Sequence, residues 1–323
     1  MTSPTAGPAR SSLGDGVRLD GHRSVVRVAA PTELRHPLST DLDLMSSREV
    51  LQVINDADRR VPAAVAAVLD DLAVAVELAV TALRSGGRVH YFGAGTSGRL
   101  GVLDAAELPP TYNAPPDWFC AHLAGGPEAM SRAVENAEDD EAAGRAEARS
   151  CVRAGDVVVG LAASGRTPYV LGALRAAREL PAETVLICAD PRAAVAGEVR
   201  VFLGLDTGPE VITGSTRMKA ATAQKLVLNA FSTAVMVRLG RVYSNLMVEV
   251  VATNAKLRGR MISMLMEATG CDEETSRRAL VEADGEVKIA LVSLVSGAGV
   301  ADARAALARS AHGVREALAL LAP

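Results

Sequence analysis

The segment that decides the fold reads VHYFGAGTSGRLGVLDAAELPPT and runs from Val89 to Thr111. Its first four residues favour a strand, and the glycine-rich turn at 93–98 leads into an apolar helix that extends through Ala105. The first turn of such a helix has unpaired backbone N–H groups and the positive end of the helix dipole, which together attract an anion. The hydroxyls of Thr96 and Ser97 add neutral donors, so the segment predicts a phosphate-binding turn.

Three glycines of this turn, Gly93, Gly95 and Gly98, also match the dinucleotide-binding pattern GxGxxG. A dinucleotide site needs an acidic residue at the end of the second strand, where it holds a ribose hydroxyl. Here Asp117 precedes the predicted second strand, 118–123, instead of ending it. The pattern therefore fits a dinucleotide poorly. From this loop alone, a plain glycine-rich turn and a functional loop are equally good interpretations.

Two further turns carry similar residues. A buried-strand pattern precedes Ser164–Thr167, and the cluster Thr213–Arg217 precedes a long helix predicted from Met218 to about Leu239. Since open parallel sheets bind ligands at the carboxyl ends of their strands, the three turns are expected to converge. Arg217 and Lys219 supply charge for a phosphate. The alternative is that both cations are solvated in a first helical turn, which the helix dipole disfavours.

Strand and helix patterns alternate from Arg88 to about Leu239, with further strands predicted at 184–189 and 199–203. Alternation of this kind predicts an α/β fold with a parallel sheet and helices on both faces. Before it, a helix is expected from Ser46 or Ser47 to about 55, and one long helix from 61 to 83. Only helical patterns follow Ser244, and the Gly-, Ser- and Pro-rich first 31 residues indicate a disordered tail.

The composition is that of an ordinary globular protein and argues against two kinds of partner. The chain has 323 residues, of which 49% are hydrophobic and 22% charged. A net charge of −4, without basic residues interleaved with aromatics, argues against nucleic acid. Apolar runs stay below the roughly 18 residues of a membrane span, so no membrane association is expected and the cytoplasm is the predicted location.

Cysteines and histidines give no metal pattern in the sequence. The four cysteines are scattered without paired spacing, and the five histidines lack the spacing of metal ligands. These residues are Cys120, Cys151, Cys188 and Cys271, and His22, His36, His90, His122 and His312. The sequence therefore predicts a reducing compartment and no structural metal.

Several segments together resemble the N-acetylmuramic acid 6-phosphate etherases, which are lyases built on the SIS sugar-phosphate isomerase fold. The resemblance runs from about Thr32 to the final helices. Its most specific segments are GAGTSGRLGVLDAAELPPTY (93–112), AGGPEAM with AVENAEDD (124–140), VVVGLAASGRTPYV (157–170), TGSTRMKAATAQKLVLN (213–229) and NLMVEVVATNAKL (245–257). The resemblance implies a SIS domain with N-terminal helices at 32–243 and a small ubiquitin-associated-like three-helix module within 244–323, after the tail at 1–31.

Glu107 is the first candidate for catalysis. Pro109 and Pro110 are expected to end the helix near it, which would hold its carboxyl close to the converging turns and suit it to donate a proton. A solvated glutamate at a helix end is the alternative, although the helix dipole disfavours an anion there. The resemblance favours the catalytic interpretation.

Glu138 is the second candidate. A helix predicted to start at Gly126–Pro127 would place Glu135 and Glu138 on one face, within an acidic run. From the residues alone, a solvated acidic face is the better interpretation. The resemblance selects Glu138 and leaves Glu135 as a helper.

The resemblance implies removal of the D-lactyl ether at C3 of N-acetylmuramic acid 6-phosphate by elimination and hydration. It implies Glu107 as proton donor and Glu138 as the base at C2, with the exchange of these roles left open, and it implies no cofactor. The implied ligands of the phosphate and sugar oxygens are Thr96, Ser97, Ser164, Thr213, Ser215, Thr216 and Lys219. Because SIS sites commonly borrow residues from a neighbouring subunit, a homodimer is expected.

Two positions depart from the family pattern. His36 stands where the family usually has Asn, and Ala221 where it usually has Gly. The first is expected to affect substrate approach and the second only helix packing.

Two functions other than etherase activity stay open. They are a sugar-phosphate isomerase, alone or as an amidotransferase domain, and a noncatalytic sugar-phosphate sensor that resembles the glucokinase regulatory protein.

Overall fold

The computed structural model describes residues 17–18, 24–25, 30–249, 255–310 and 313–322. Most of the tail predicted at 1–31 lies outside these residues. Within it, Val17–Arg18 (β1) pairs antiparallel with Ser24–Val25 (β2).

A five-stranded parallel sheet forms the centre of the fold, as the alternating pattern predicts. Its spatial order is β4-β3-β5-β6-β7, so β4 and β7 are the edge strands. The strands are β3 (Val89–Gly93), β4 (Phe119–Leu123), β5 (Val157–Leu161), β6 (Glu183–Cys188) and β7 (Val201–Gly204). The central strands are nearly continuous runs of apolar residues because helices cover both of their faces.

Seven helices surround this sheet. They are α1 (Ser47–Asp58), α2 (Arg60–Ala66), α3 (Leu69–Arg84), α4 (Gly95–Tyr112), α5 (Glu141–Cys151), α6 (Pro168–Glu179) and α7 (Lys219–Arg238). Alternate strand residues face opposite cores. Tyr91 and Val159 belong to the core under α2, α3, α4 and α7, whereas Phe92 and Val158 belong to the core under α5 and α6. The prediction of helices on both faces is thus confirmed.

The single helix expected from 61 to 83 is wrong, because the chain turns at Ala67–Val68. The amide of Val68 donates to the carbonyl of Val65 at 3.1 Å, and α3 then starts with the bond from Leu72 to Val68 at 2.9 Å. Buried residues keep the helical spacing across the turn, since Val65, Val68 and Leu72 all enter one core. Periodicity alone could not reveal the break.

The expectation that prolines end α4 near Glu107 is also wrong. The helix contains Pro109 and Pro110 and ends at Tyr112. Its C-cap, Asn113, adopts a left-handed conformation with φ of 50° and donates to the carbonyl of Pro109 at 2.9 Å. Each proline removes one helical N–H but keeps a helical φ. Leu108 is 3% exposed, so its packing in the core holds this last turn together.

The C-terminal region contains a short hairpin and five helices around a hydrophobic core of their own. The hairpin joins β8 (Val242–Tyr243) to β9 (Leu246–Met247), where only helical patterns were expected. The helices are α8 (Ala255–Thr269), α9 (Glu273–Glu282), α10 (Val287–Ser296), α11 (Val300–Arg309) and α12 (Val314–Leu321). In the described chain no single helix is long and apolar enough to cross a membrane; the bent pair α10–α11, at 108°, would qualify by length and composition only.

One buried carboxyl group joins three elements of the main domain. Asp104 on α4 accepts hydrogen bonds from the hydroxyl of Tyr91 on β3 at 2.9 Å and from that of Ser232 on α7 at 3.0 Å. Its residue is 5% exposed. Burial raises the pKa of Asp104 to about 6, although the two hydrogen bonds oppose the shift.

This pKa predicts a pH-dependent difference between the wild type and Asp104→Asn. Because the folded state holds the proton more tightly than the unfolded state, the contribution of Asp104 to stability is present below its unfolded pKa and is lost as the pH rises to about 6. Asn stays neutral throughout. Between pH 4 and pH 7 the wild type should therefore lose up to about 3 kcal/mol of unfolding free energy relative to Asp104→Asn. Urea unfolding of both proteins at the two pH values measures this loss. A difference that is the same at both pH values would contradict the assignment.

Candidate functional site

All connections that follow the five parallel strands start at the same edge of the sheet, which is where open α/β sheets bind ligands. The three hydroxyl-rich turns predicted from the sequence follow β3, β5 and β7 and therefore share this carboxyl edge. The connection after β4, which contains Glu138, shares it as well.

The turn between β3 and α4 depends on a close approach of two glycines. A Cβ atom on Gly98 would lie 2.6 Å from the carbonyl oxygen of Gly93 and would also overlap the side chain of Leu123. This approach sets the first turn of α4 directly against the end of β3. Because Ala94 at the N-cap has no side-chain acceptor, the N–H groups of this turn are open to an anion. Thr96 is half-buried here.

Ser97 is 8% exposed in the same turn. Arg99, two residues further on, fastens the turn to the neighbouring connection: its Nε donates to the carbonyls of Ala129 at 2.8 Å and Met130 at 3.1 Å. The segment that contains Glu138 is thus tied to the predicted phosphate turn by side-chain hydrogen bonds.

The second turn, after β5, is stabilised by a hydrogen bond between two of its own residues. The hydroxyl of Ser164 accepts a hydrogen bond from the amide of Arg166 at 3.2 Å, and Gly165 has a φ of 68°. The guanidinium of Arg166 lies 3.7 Å from the carboxylate of Asp190, which follows β6. Ser164 is half-buried at the carboxyl edge, where the sequence predicted it.

The third turn differs from the first because its helix is already capped by a carboxylate. Glu210 is fully buried and accepts the amides of Lys219 at 3.1 Å and Ala220 at 2.9 Å. Burial raises the pKa of Glu210, while these two hydrogen bonds oppose the shift. The N-terminus of α7 is therefore closed to a further anion. The sequence does not predict this cap, because Glu210 lies nine residues before α7, where no local capping pattern applies.

Lys219 is also buried, with 1% of the residue exposed. Its ammonium donates to the carbonyl of Pro209 at 2.5 Å. Burial lowers the pKa of Lys219, and the charge of Glu210 opposes this shift. The sequence predicts a solvated or phosphate-binding cation at this position, but the structure places Lys219 inside the protein beside Glu210.

The N-terminal arm packs against the third turn. The amide of Gly214 donates to the carbonyl of Thr32 at 3.0 Å, and the hydroxyl of Ser39 donates to the carbonyl of Val211 at 2.7 Å. A cleft of about 440 Å³ lies between the two segments, and His36 and the predicted ligand Thr213 line it. Burial, followed by the charges of Lys219 and Arg60, lowers the pKa of His36. Of the other predicted ligands, Ser215 and Thr216 are half-buried and Thr213 is exposed.

Glu138 lies on the carboxyl edge but not on the helix expected from the sequence. It is exposed, in the single 3₁₀ turn Ala137–Asp139. Asn136 has a φ of 62°, and this left-handed conformation interrupts the helix that would have put Glu135 and Glu138 on one face. Asp140 then caps α5 by accepting the amide of Ala143 at 2.8 Å.

Glu107 lies away from the loops of its own chain. It is twelve residues after Gly95 on α4, and at 1.5 Å per residue this is about 18 Å along the helix axis. Since α4 runs back along the sheet from the carboxyl edge, Glu107 lies toward the opposite edge. The expectation that it would sit beside the converging turns is not met within one chain. Glu107 is also exposed, without the apolar shielding expected.

Comparisons with known proteins agree with this architecture. The family described as "Glucokinase regulatory protein N-terminal SIS domain" matches residues 71–178. The N-acetylmuramic acid 6-phosphate etherase of Thermobifida fusca is 60% identical over 83% of this chain and 88% of its own length. The enzyme of the same name from Pectobacterium atrosepticum is 51% identical over 89% of this chain and 95% of its own. The chain belongs to the N-acetylmuramic acid 6-phosphate etherase family.

A solved structure, the phosphoheptose isomerase GmhA of Neisseria gonorrhoeae, aligns with 58% of this etherase-family chain and 97% of its own, at 21% identity and a TM-score of 0.46. Ala221 on α7, which the sequence comparison by motif expects to depart from the family pattern, is 7% exposed and donates its amide to the carbonyl of Thr216 at 3.0 Å. Its methyl group thus lies in the packing of α7. His36, the other expected departure, lies in the cleft beside the third turn.

The glycine contact in the first turn predicts a large effect of one methyl group. Gly98→Ala should lower the free energy of unfolding by about 1–3 kcal/mol, because the new Cβ overlaps backbone atoms that cannot move without shifting β3 against α4. Gly197→Ala is the matched control, since nothing lies within 4 Å of a Cβ at that position. Urea unfolding of both variants measures the effect. Equal stability of the two variants would show that the turn does not depend on this contact.

Proposed function

We propose that this chain is an N-acetylmuramic acid 6-phosphate etherase, which cleaves the D-lactyl ether at C3 of its substrate to give N-acetylglucosamine 6-phosphate and (R)-lactate. The observation that carries the proposal is the 60% identity to an etherase over 83% of the chain. The open helix N-terminus of the β3–α4 turn supports it, because such a turn suits a phosphate group. The reaction belongs to the recycling of cell-wall amino sugars, in the cytoplasm.

The chemistry requires an acid and a base. An ether oxygen is a poor leaving group, so direct hydrolysis is difficult. When the sugar ring opens, C1 becomes an aldehyde and the hydrogen on C2 becomes acidic. A base removes this proton while an acid protonates the departing lactate oxygen, and water then adds to C3 of the unsaturated aldehyde. We assign Glu107 as the acid and Glu138 as the base.

The phosphate is proposed to bind at the β3–α4 turn, through the backbone N–H groups and the hydroxyls of Thr96 and Ser97. This turn is favoured over the start of α7 because Glu210 already occupies the amides there. Lys219 keeps two ammonium hydrogens besides the one it donates to Pro209, so it contributes positive charge next to the third turn. The remaining proposed ligands of sugar oxygens are Ser164, Thr213, Ser215 and Thr216.

We further propose a homodimer in which Glu107 of one chain completes the site of the other. The support is geometric, since about 18 Å of helix separates Glu107 from the phosphate turn of its own chain. Leu103 lies one turn before Glu107 on the same face of α4 and is 41% exposed in the isolated chain. An apolar side chain beside a catalytic acid fits a surface that a second copy covers. The C-terminal helical module is proposed to support this assembly.

Mixed dimers test the shared site. Glu107→Gln and Glu138→Gln should each lower turnover by about 10²–10⁴ while sparing substrate binding, because each keeps its shape but loses the acid or the base. When the two variants assemble at random, half of the dimers are mixed and each mixed dimer has one intact site, so about a quarter of wild-type turnover should return. Lactate release measures the turnover.

The matched control pairs Glu107→Gln with the double variant Glu107→Gln/Glu138→Gln, which leaves no intact site in any dimer. Two different affinity tags allow the mixed dimers to be isolated and counted. Mixed dimers that form but stay inactive would overturn the shared site. Near-normal turnover in both single variants would overturn the two-carboxylate assignment itself.

Isotopes distinguish elimination from direct hydrolysis. In deuterated water the product N-acetylglucosamine 6-phosphate should carry deuterium at C2, and in ¹⁸O-labelled water it should carry the label at C3, while lactate keeps the ether oxygen. Mass spectrometry of both products measures the labels. Label in lactate with an untouched C2 would contradict elimination. Substrate binding without any lactate release would instead favour a noncatalytic sensor.

A further inference from the structure

A cluster of two histidines and one cysteine lies on the α5–α6 side of the sheet, next to the edge strand β4. His90 is on β3, His122 is on β4, and Cys151 is the last residue of α5. His90 Nδ1 lies 3.1 Å from His122 Nε2, and Cys151 Sγ lies 3.7 Å from that same nitrogen. All three atoms lie within 4.8 Å of one another. The spacing of the cysteines and histidines along the sequence predicts no structural metal, and the three residues meet only because the fold brings three separate elements together.

The remaining ring nitrogens of the two histidines face carboxylates. His90 Nε2 lies 3.2 Å from Asp156 Oδ2, and His122 Nδ1 lies 3.1 Å from Glu147 Oε1. Asp156 also accepts two backbone amides, at 2.8 and 2.7 Å, as an ionised carboxylate does. Because carboxylates accept hydrogen bonds, the ring hydrogens belong on these outer nitrogens.

This assignment leaves the two inner nitrogens, His90 Nδ1 and His122 Nε2, with lone pairs that face each other across 3.1 Å. Such an arrangement is unfavourable unless a cation lies between them. His90 is 1% exposed, so solvent does not reach its ring and does not separate the two histidines. The cation is either a proton shared by the rings or a metal ion.

The third ligand favours a metal ion. With Zn–N bonds of 2.0–2.1 Å and Zn–S bonds of about 2.3 Å, a tetrahedral site has edges of roughly 3.4 Å between two nitrogens and 3.6 Å between nitrogen and sulfur. The observed separations of 3.1 and 3.7 Å are close to these two edges, and the third pair of ligand atoms, His90 Nδ1 and Cys151 Sγ, lies within 4.8 Å. Metal-bound histidines typically donate their other N–H to a carboxylate, which is the arrangement of both rings here. Imidazole and thiolate ligands suit zinc and do not suit magnesium or calcium.

We propose that His90, His122 and Cys151 bind one Zn²⁺ per chain, with Asp156 and Glu147 orienting the two rings. On binding, the Cys151 thiol releases its proton to solvent, and a metal–sulfur bond replaces its contact with the carbonyl of Glu147 at 3.1 Å. His122 and Cys151 are only partly buried, so a water molecule completes the tetrahedron.

The ion would fasten the edge strand β4 to β3 and to α5. Of these elements, β4 and α5 lie on either side of the connection that contains Glu138. Tyr169 on α6 extends the same network, because its hydroxyl donates to Glu147 Oε2 at 2.6 Å. The metal therefore has a structural role on this side of the sheet, and the proposal does not depend on the proposed reaction.

Cobalt provides the test, because Co²⁺ bound to a thiolate has a charge-transfer absorption band that Co²⁺ in water lacks. Metal-free full-length protein titrated with Co²⁺ should develop this band with a stoichiometry of one per chain, and added Zn²⁺ should remove it. Zn²⁺ should also raise the melting temperature of the wild type. Cys151→Ser should abolish the band and the temperature shift. Cys120→Ser and Cys271→Ser are the matched controls and should retain both.

Glu147→Gln tests the orienting role at a position that is exposed enough to tolerate the change, since 41% of its side chain is accessible. It should weaken Zn²⁺ binding by about 10- to 100-fold while the cobalt spectrum keeps its shape. Absence of the charge-transfer band in the wild type would overturn the proposal and leave a shared proton between the histidines. A band that survives in Cys151→Ser but not in Cys120→Ser would also overturn it.

Discussion

The contact between Gly93 and Gly98 is the constraint on which the rest of the site depends. With hydrogen atoms in place of side chains, the first turn of α4 lies directly on the end of β3, and a Cβ at either position would meet backbone atoms of the other. The unpaired amides of that turn are thereby held at the carboxyl edge of the sheet, where the other connections also begin. A rigid turn with open amides, suited to an anion, results from close packing of the backbone and does not require a charged side chain.

The same contact also sets where α4 ends. Once its first turn is fixed at the carboxyl edge, a straight helix carries Glu107 about 18 Å away from that edge. Glu138, in contrast, lies at the edge in a short 3₁₀ turn of the connection after β4, and Arg99 fastens that connection at Ala129. The two carboxylates proposed for acid–base catalysis are therefore separated within one chain, and a second copy is the simplest way to bring them together. The geometry of one helix thus links the proposed chemistry to the proposed assembly.

Buried polar groups are unusually informative in this protein, because the core is built mainly from Ala, Val and Leu and only 3% of the residues are aromatic. Asp104, Glu210, Lys219 and His90 are all buried in this apolar surrounding. A buried charge is costly unless it has partners, so each group indicates a specific interaction. Asp104 holds three elements together, and Glu210 closes the end of α7. The histidine cluster, together with Cys151, is the metal site that we propose.

The sequence by itself determined the parallel α/β architecture, the family and the three turns at the carboxyl edge, because periodicity and glycine-rich motifs depend on neighbouring residues along the chain. It could not reveal the turn at Ala67–Val68, since buried residues keep their spacing through it. The helical prolines at the end of α4 were missed because packing of Leu108 overrides local preference. Only the tertiary structure decided that Lys219 is buried, that Glu107 leaves its own loops, and that His90, His122 and Cys151 meet. Each of these features depends on contacts between residues of separate elements. The order of residues along the chain does not show which of these side chains come into contact.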